Sequence, residues 1–227
     1  MPLDADIPVK EIERYMGYRG DADAEQDVFE TIVKAVEQVK TQSHPRIISR
    51  EYPITVSGND IIIHADTEDT TLSSESLRRN LAGCCGAILL AATIGPACDM
   101  LVRRAEVRSM AEASVYQATG AAAIESFLDN ENDKLRKQYE AEGYCLRPRF
   151  SPGYGDLSLD CQKDWFRLLD ITKNIGIELT DSLLMVPTKS VTAIIGIGYN
   201  KDKITETGCA ACNNRASCAF SKERTRK

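Results

Sequence analysis

Apolar residues recur at helical spacing in several stretches of this chain, and each stretch predicts a helix. A short amphipathic helix is predicted after Pro8, and a second over residues 21–41. A long helical region is predicted over residues 97–143, with a break near Ser109, and a shorter helix over residues 164–169. The chain is therefore expected to be rich in amphipathic helices.

Strand-like segments occupy the stretches between these helices. Residues 46–56 and 60–65 predict a hairpin, and residues 191–199 predict a late strand. The continuous apolar run over residues 87–94 predicts a strand buried on both faces, whereas residues 72–81 predict a helix. Because this order of helices and strands is mixed rather than regularly alternating, we predict an α+β fold with a twisted, largely antiparallel sheet flanked by helices.

Composition narrows the classes of function. The 227 residues carry a formal net charge of −6 with no basic stripe, so neither nucleic acid nor a membrane surface is an expected partner. No apolar run approaches the roughly 20 residues that cross a bilayer, and residues 1–20 do not resemble a signal peptide. We therefore expect a cytoplasmic protein with a single domain over residues 1–227, in which residues 1–80 are a possible N-terminal lobe and residues 205–227 form a cysteine-bearing tail.

The segment 149–156 joins a cation, a Pro-Gly turn and an aromatic ring. Pro152 fixes its own φ and Gly153 can adopt a positive φ, so the turn can expose backbone N–H and C=O groups. Arg149 can clamp a carboxylate with two hydrogen bonds, and the Tyr154 ring can lie against a cation or a flat ring. The segment suits an amino acid joined to a nucleoside, whereas a surface turn beside an unrelated Arg is the simpler alternative.

A second motif, IGIELTDSLLMVPTKSV, spans residues 175–191. The R-x-S-P-G-Y segment and this motif follow each other along the chain in that order. Together they resemble the C-terminal activation domain of cobalamin-dependent methionine synthase and, more closely, the free-standing relatives of that domain. The resemblance extends from about residue 113 to residue 198. It implies the fold of the activation domain and a protein that binds S-adenosylmethionine.

The resemblance also implies which side chains contact the ligand. It places these contacts at Arg149, Ser151, Gly153 and Tyr154. Arg149 would then pair with the ligand carboxylate, and Tyr154 would pack near the sulfonium or adenosine, while the backbone of residues 151–153 could read the adenine edge. Glu125, at the edge of an apolar helix face, is the candidate partner of the ammonium, or alternatively pairs with a local Lys or Arg. Tyr199 is a candidate for a further tyrosine that the family uses.

The function that the resemblance implies is repair of a corrinoid. In the parent enzyme, cobalt(I) is occasionally oxidised to inert cobalt(II), and one-electron reduction with methyl transfer from S-adenosylmethionine restores the cofactor. This chain lacks the D-x-H-x-x-G pattern associated with cobalamin-binding domains. Cobalamin is therefore expected on a partner, a separate methionine synthase or other corrinoid methyltransferase, with a reductant protein supplying the electron. The chain would be a component of that methyltransferase activity, acting in trans.

Three cysteines near the C-terminus have metal-ligand spacing: Cys209, Cys212 and Cys218. An iron–sulfur cluster suits a redox activator and a structural zinc is the alternative, whereas three free thiols need no metal. A fourth ligand could come from Cys145, Cys161, solvent or substrate. A metal-bearing electron-transfer or scaffold protein with an idle ligand pocket is therefore the second hypothesis for function.

Other candidate residues have simpler interpretations. Asp156 and Asp160 are placed to cap the helix that follows them. Lys189 is either a solvated charge or a contact for a corrinoid or an acidic partner. The remaining cysteines in apolar surroundings are expected to be buried: Cys84, Cys85 and Cys98.

Overall fold

A computed structural model of the chain describes residues 2–18 and 24–199. The helices within these ranges are α1 (Val9–Tyr15), α2 (Gln26–Gln42), α3 (Glu75–Asn80), α4 (Ala97–Glu106), α5 (Met110–Ala141), α6 (Gln162–Leu169) and α7 (Ile171–Ile175). The strands are β1 (Arg46–Ser57), β2 (Asp60–Ile63), β3 (Thr70–Ser73), β4 (Cys84–Thr93), β5 (Cys145–Leu146), β6 (Glu178–Leu179), β7 (Met185–Val186) and β8 (Ser190–Gly198). A 3₁₀ turn over Leu159–Cys161 leads into α6.

Six strands form one sheet in the order β3-β2-β1-β4-β8-β5, and β6 pairs with β7 in a separate hairpin. Every strand pairing within the described residues is antiparallel. The predicted α+β fold with a largely antiparallel sheet is therefore confirmed. The neighbouring strands β4 and β8 pair along nearly their whole length.

Helices cover both faces of this sheet. On one face, Ile88 and Leu90 of β4 and Ile195 of β8 pack against α1, α2, α4 and α5. On the other face, Leu89 of β4 and Ile194 of β8 pack against α3, α6 and α7. The alternation of side chains along a strand explains why β4 and β8 are apolar throughout: each contributes to both layers of the core.

The sequence predictions for residues 72–81 and for Cys85 need correction. Residues 72–81 were expected to be one helix, but Leu72 lies in β3, and α3 begins after the N-cap Ser74, whose hydroxyl accepts a hydrogen bond from the Leu77 N–H at 3.0 Å. Cys85 was expected to be buried with its neighbours, and it is exposed while Cys98 is buried. Cys85 is the extra residue at a register irregularity between Cys84 and Gly86, at the start of β4, where it faces no partner residue in β8.

The break near Ser109 is confirmed, since Ser109 is the N-cap of α5 and accepts a hydrogen bond from the Glu112 N–H. Helices α4 and α5 pack closely where Gly120 meets Cys98 and Lys189. Lys189 is only 8% exposed there, and burial lowers its pKa, so its interpretation as a solvated charge is wrong.

No helix within the described ranges is long and apolar enough to span a membrane.

Candidate functional site

A cavity of about 640 Å³ opens beside the loop that follows β5. Its walls are α5, the segment after Leu146, the first residue of α6, Met185 and the start of β8. The lining side chains are Glu125, Asp129, Asn132, Arg136, Leu146, Pro148, Arg149, Ser151, Pro152, Tyr154, Gln162, Met185, Ser190, Val191 and Thr192. The cavity is therefore polar on its α5 side and more apolar elsewhere.

The loop that carries Arg149 is held in place by the sheet and by its own turn. Phe150 exchanges two backbone hydrogen bonds with Ile194 of β8, at 2.9 and 2.8 Å. The Tyr154 N–H then donates to the Ser151 C=O at 3.0 Å, and Gly153 has a φ of 87°. This combination, with Pro152 at the second position, is a type II turn, in which the third position requires a positive φ. The predicted Pro-Gly turn is confirmed.

Asp156 fastens the far end of the loop to the start of α3. Its carboxylate accepts hydrogen bonds from the Ser74 hydroxyl at 2.6 Å and from the N–H groups of Ser76 and Glu75 at 3.0 and 2.8 Å. These bonds, with that from Ser74 the largest contribution, lower the pKa of Asp156 well below its usual range. Asp156 thus caps α3 and not the helix that follows it, so the sequence prediction was wrong about its helix.

The charged wall of the cavity consists of Arg149, Glu125, Asp129 and Arg136, with Arg149 at its centre. Its Nη2 lies 3.1 Å from Glu125 Oε2 and 2.8 Å from Asp129 Oδ1. Its Nη1 is buried with no hydrogen-bond partner among the described residues, and the side chain is 19% exposed. Because both carboxylates are partly solvated, these ion pairs are worth only about 0.2–1 kcal/mol each. An incoming carboxylate can therefore engage Nη1 without breaking a strong internal contact.

Four polar residues of α5 face the cavity at helical spacing: Glu125, Asp129, Asn132 and Arg136. Asn132 Oδ1 is buried there without a hydrogen-bond partner in the described chain. Together with Arg149, the stripe provides two carboxylates and two guanidinium groups. Such a wall, neutral overall, is complementary to a zwitterion, which brings one carboxylate and one ammonium.

The opposite wall is formed by the start of α6. Trp165, fully buried, donates its indole N–H to the Ala193 C=O of β8 at 3.0 Å and fixes the helix on the sheet. Gln162 lies three residues earlier, on the same face, and is 5% exposed. Its Oε1 has no partner among the described residues. Tyr154, by contrast, is 59% exposed and packs edge-on against Phe150, with 6.2 Å between ring centroids.

The structure brings most of the predicted ligand residues to this one cavity: Glu125, Arg149, Ser151 and Tyr154. Gly153 shapes the turn without lining the cavity, and its N–H is used internally, donating to the Leu157 C=O at 2.9 Å. Tyr199 lies away from the site, against Tyr144. Sequence reasoning missed Asp129, Asn132 and Arg136, although their spacing of 4, 7 and 11 residues from Glu125 was a readable signal.

The predicted metal ligands Cys209, Cys212 and Cys218 lie outside the described residues. Of the two suggested fourth ligands, Cys145 is buried in β5 and Cys161 is half-buried at the end of the 3₁₀ turn. Within residues 2–18 and 24–199, no three His, Cys, Asp or Glu side chains are grouped so as to hold a metal ion.

The fold of this chain is similar to that of a methionine synthase reactivation domain. A crystal structure described as the MetH reactivation domain bound to AdoHcy matches with a TM-score of 0.62 and 18% sequence identity, covering 82% of this chain and 67% of that chain. The family model described as "Vitamin B12 dependent methionine synthase, activation domain" matches residues 110–204. The resemblance predicted from the sequence is thereby confirmed, whereas no curated protein sequence matches the chain.

Proposed function

We propose that this protein binds S-adenosylmethionine in the cavity beside Arg149 and supports reductive methylation of cobalamin carried by a separate corrinoid methyltransferase. The observation that carries the proposal is the guanidinium of Arg149, which lines the cavity beside two carboxylates and whose Nη1 has no hydrogen-bond partner among the described residues. The family match over residues 110–204 and the AdoHcy bound to the structural relative support the same choice of ligand.

The residues of the charged wall fit the methionyl end of the ligand. Arg149 binds the carboxylate through Nη1 while its Nη2 remains paired with Glu125 and Asp129. Because the guanidinium would hold the ligand carboxylate beside these two carboxylates, they can receive the ligand ammonium. The sequence interpretation treated a contact with the ammonium and a pair with a local Arg as alternatives for Glu125. In the proposed complex, Glu125 makes both contacts.

The loop and α6 fit the other half of the ligand. Tyr154, Pro152 and Met185 border the less polar side of the cavity, where an adenosine group can pack. Bound in this way, the ligand presents its sulfonium methyl at the cavity mouth. Cobalamin on a partner would supply the cobalt that, once reduced by one electron, takes up the methyl, and S-adenosylhomocysteine would leave as the product. This chain contributes by holding the donor in position, which makes the transfer effectively local.

The experiment that tests this function is a reactivation assay in trans. A corrinoid methyltransferase inactivated in the cobalt(II) state is mixed with this protein, S-adenosylmethionine and a one-electron reductant, and the corrinoid absorption spectrum is followed. We expect conversion to the methylated cofactor that depends on both this protein and S-adenosylmethionine. Conversion at the same rate without the protein, or with the Arg149→Ala variant, would contradict the proposal.

We also propose that Cys209, Cys212 and Cys218 bind an iron–sulfur cluster or zinc, on the strength of their spacing alone. The measurement is an anaerobic absorption spectrum combined with metal analysis of the purified protein. A cluster predicts visible charge-transfer bands, and zinc predicts stoichiometric metal without colour. A triple Cys→Ser variant of these positions should lose the metal, whereas Cys98→Ser should retain it.

A further inference from the structure

We propose that the side-chain amide of Gln162 binds the exocyclic amino group of adenine, which makes Gln162 the residue that selects the base of the sulfonium ligand. The inference rests on the proposed function, because it assigns one half of the same ligand. It concerns the wall opposite Arg149, where the sequence motifs place no ligand contact.

Gln162 occupies a position that a buried apolar residue would normally fill. It shares one face of α6 with Trp165 and Leu169, both fully buried against the sheet. At 5% exposure its amide is withdrawn from bulk water, yet it lines the cavity and its Oε1 has no partner among the described residues. Burying an amide oxygen without a hydrogen bond destabilises a protein. A ligand donor is the group that would relieve this cost.

The loop of residues 151–154 offers few backbone N–H donors that could pair with a ring nitrogen of adenine. Pro152 has no N–H, the Gly153 N–H donates to Leu157, and the Tyr154 N–H donates to Ser151. Of the two backbone N–H groups of residues 151–153, which the sequence interpretation assigned to the adenine edge, that of Gly153 is therefore already engaged. A side-chain amide presents one acceptor and two donors together, which is the pattern that pairs with the amino group and an adjacent ring nitrogen of adenine.

The distribution of charged side chains directs the adenine base to the wall of the cavity that contains Gln162. The charged groups that line the cavity, Glu125, Asp129, Arg136 and Arg149, belong to α5 and the start of the loop. The zwitterionic end of the ligand goes to that wall. The uncharged nucleoside is then directed to the wall formed by Gln162, Met185 and Pro152, where a neutral amide can read it without an unfavourable charge.

The test compares AdoHcy with its analogue in which adenine is replaced by unsubstituted purine, which lacks only the amino group. Calorimetric titration of the wild-type protein should show binding about tenfold weaker for the analogue, as expected when a buried acceptor is left unpaired. The Gln162→Leu variant should bind AdoHcy about tenfold more weakly and bind both ligands equally. Gln117→Leu, at an exposed position of α5, is the matched control and should behave as the wild type.

Stability separates ligand recognition from a structural role. Without ligand, Gln162→Leu should unfold at the same temperature as the wild type or higher, since it removes an unsatisfied buried amide. A clear loss of stability in that variant would show that Gln162 supports the fold and would overturn the inference.

The other outcomes are equally decisive. Equal binding of the two ligands by the wild type overturns the inference alone. If instead 2′-deoxy-AdoHcy binds weakly to the wild type but as well as AdoHcy to Gln162→Leu, the amide binds the ribose, and the assignment to adenine is wrong. No binding of AdoHcy to the wild type overturns both this inference and the proposed function.

Discussion

At the scale of single residues, the site depends on Gly153 and Arg149. Gly153 has a φ of 87° at the third position of the turn, a conformation that L-residues adopt at a cost. Arg149 directly precedes Phe150, and the backbone bridge between Phe150 and Ile194 therefore fixes the position of Arg149. The turn and the guanidinium are therefore fixed by neighbouring but separate constraints.

Replacing Gly153 by Ala should change both stability and binding. The positive φ predicts a loss of about 1–2 kcal/mol in the free energy of unfolding, measured by urea titration. Gly83→Ala is the matched control, because Gly83 has a φ of 75° with nothing within 4 Å of an added Cβ and lies outside the cavity. We expect a similar loss of stability from both variants and weaker AdoHcy binding only from Gly153→Ala. Equal binding by the two would contradict a ligand role for the turn.

At the scale of elements, Asp156 fastens the loop to α3 by capping that helix. A carboxyl whose pKa is lowered in the folded state stabilises that state above its unfolded pKa of about 3.9, and the contribution is lost as pH falls toward the folded value. Asp156→Ala should therefore be less stable than the wild type at neutral pH. The difference should shrink as pH falls below about 4. Urea midpoints measured from pH 7 to pH 3 test this, and a difference that does not vary with pH would refute the cap.

The contact between α4 and α5 gives a second prediction at this scale. Ala normally stabilises a helix interior by about 1 kcal/mol relative to Gly. At Gly120, however, an added Cβ would collide with Cys98 Sγ and come within 2.8 Å of Lys189 Cε. Overpacking of this kind costs about 1–3 kcal/mol. Gly120→Ala should therefore destabilise the protein on balance, and a double-mutant cycle with Cys98→Ala should show favourable coupling. Additive effects would contradict the contact.

Elements with strong local signals were predictable from the sequence. The apolar run of β4, the break near Ser109 and the Pro152-Gly153 turn all matched, because each is determined by residues close together in the chain. The assignment of residues 72–81 failed where β3 is set by pairing with β2, a contact that periodicity does not report. Likewise, the Glu125–Arg149 pair depends on how α5 lies against the loop.

At the scale of the whole molecule, the cavity lies where α5, the loop after β5, and α6 meet beside β8. Helix α5 belongs to one layer and α6 to the other, so a bound ligand contacts both. Ligand binding should therefore stabilise the protein as a unit. With free AdoHcy at one hundred times its dissociation constant, the free energy of unfolding should rise by about 2.7 kcal/mol. An unchanged urea midpoint at saturating ligand would contradict binding to the folded state.

Calorimetric titration with AdoHcy of the wild type, Arg149→Ala and Arg104→Ala tests the central claim most directly. Arg104 lies exposed on α4, away from the cavity, and is the matched control for loss of one positive charge. Loss of charge-assisted hydrogen bonds worth about 1.5–3 kcal/mol predicts at least tenfold weaker binding for Arg149→Ala and none of this loss for Arg104→Ala. Binding that is absent in the wild type, or equal in all three proteins, would contradict the claim that Arg149 holds the methionyl carboxylate.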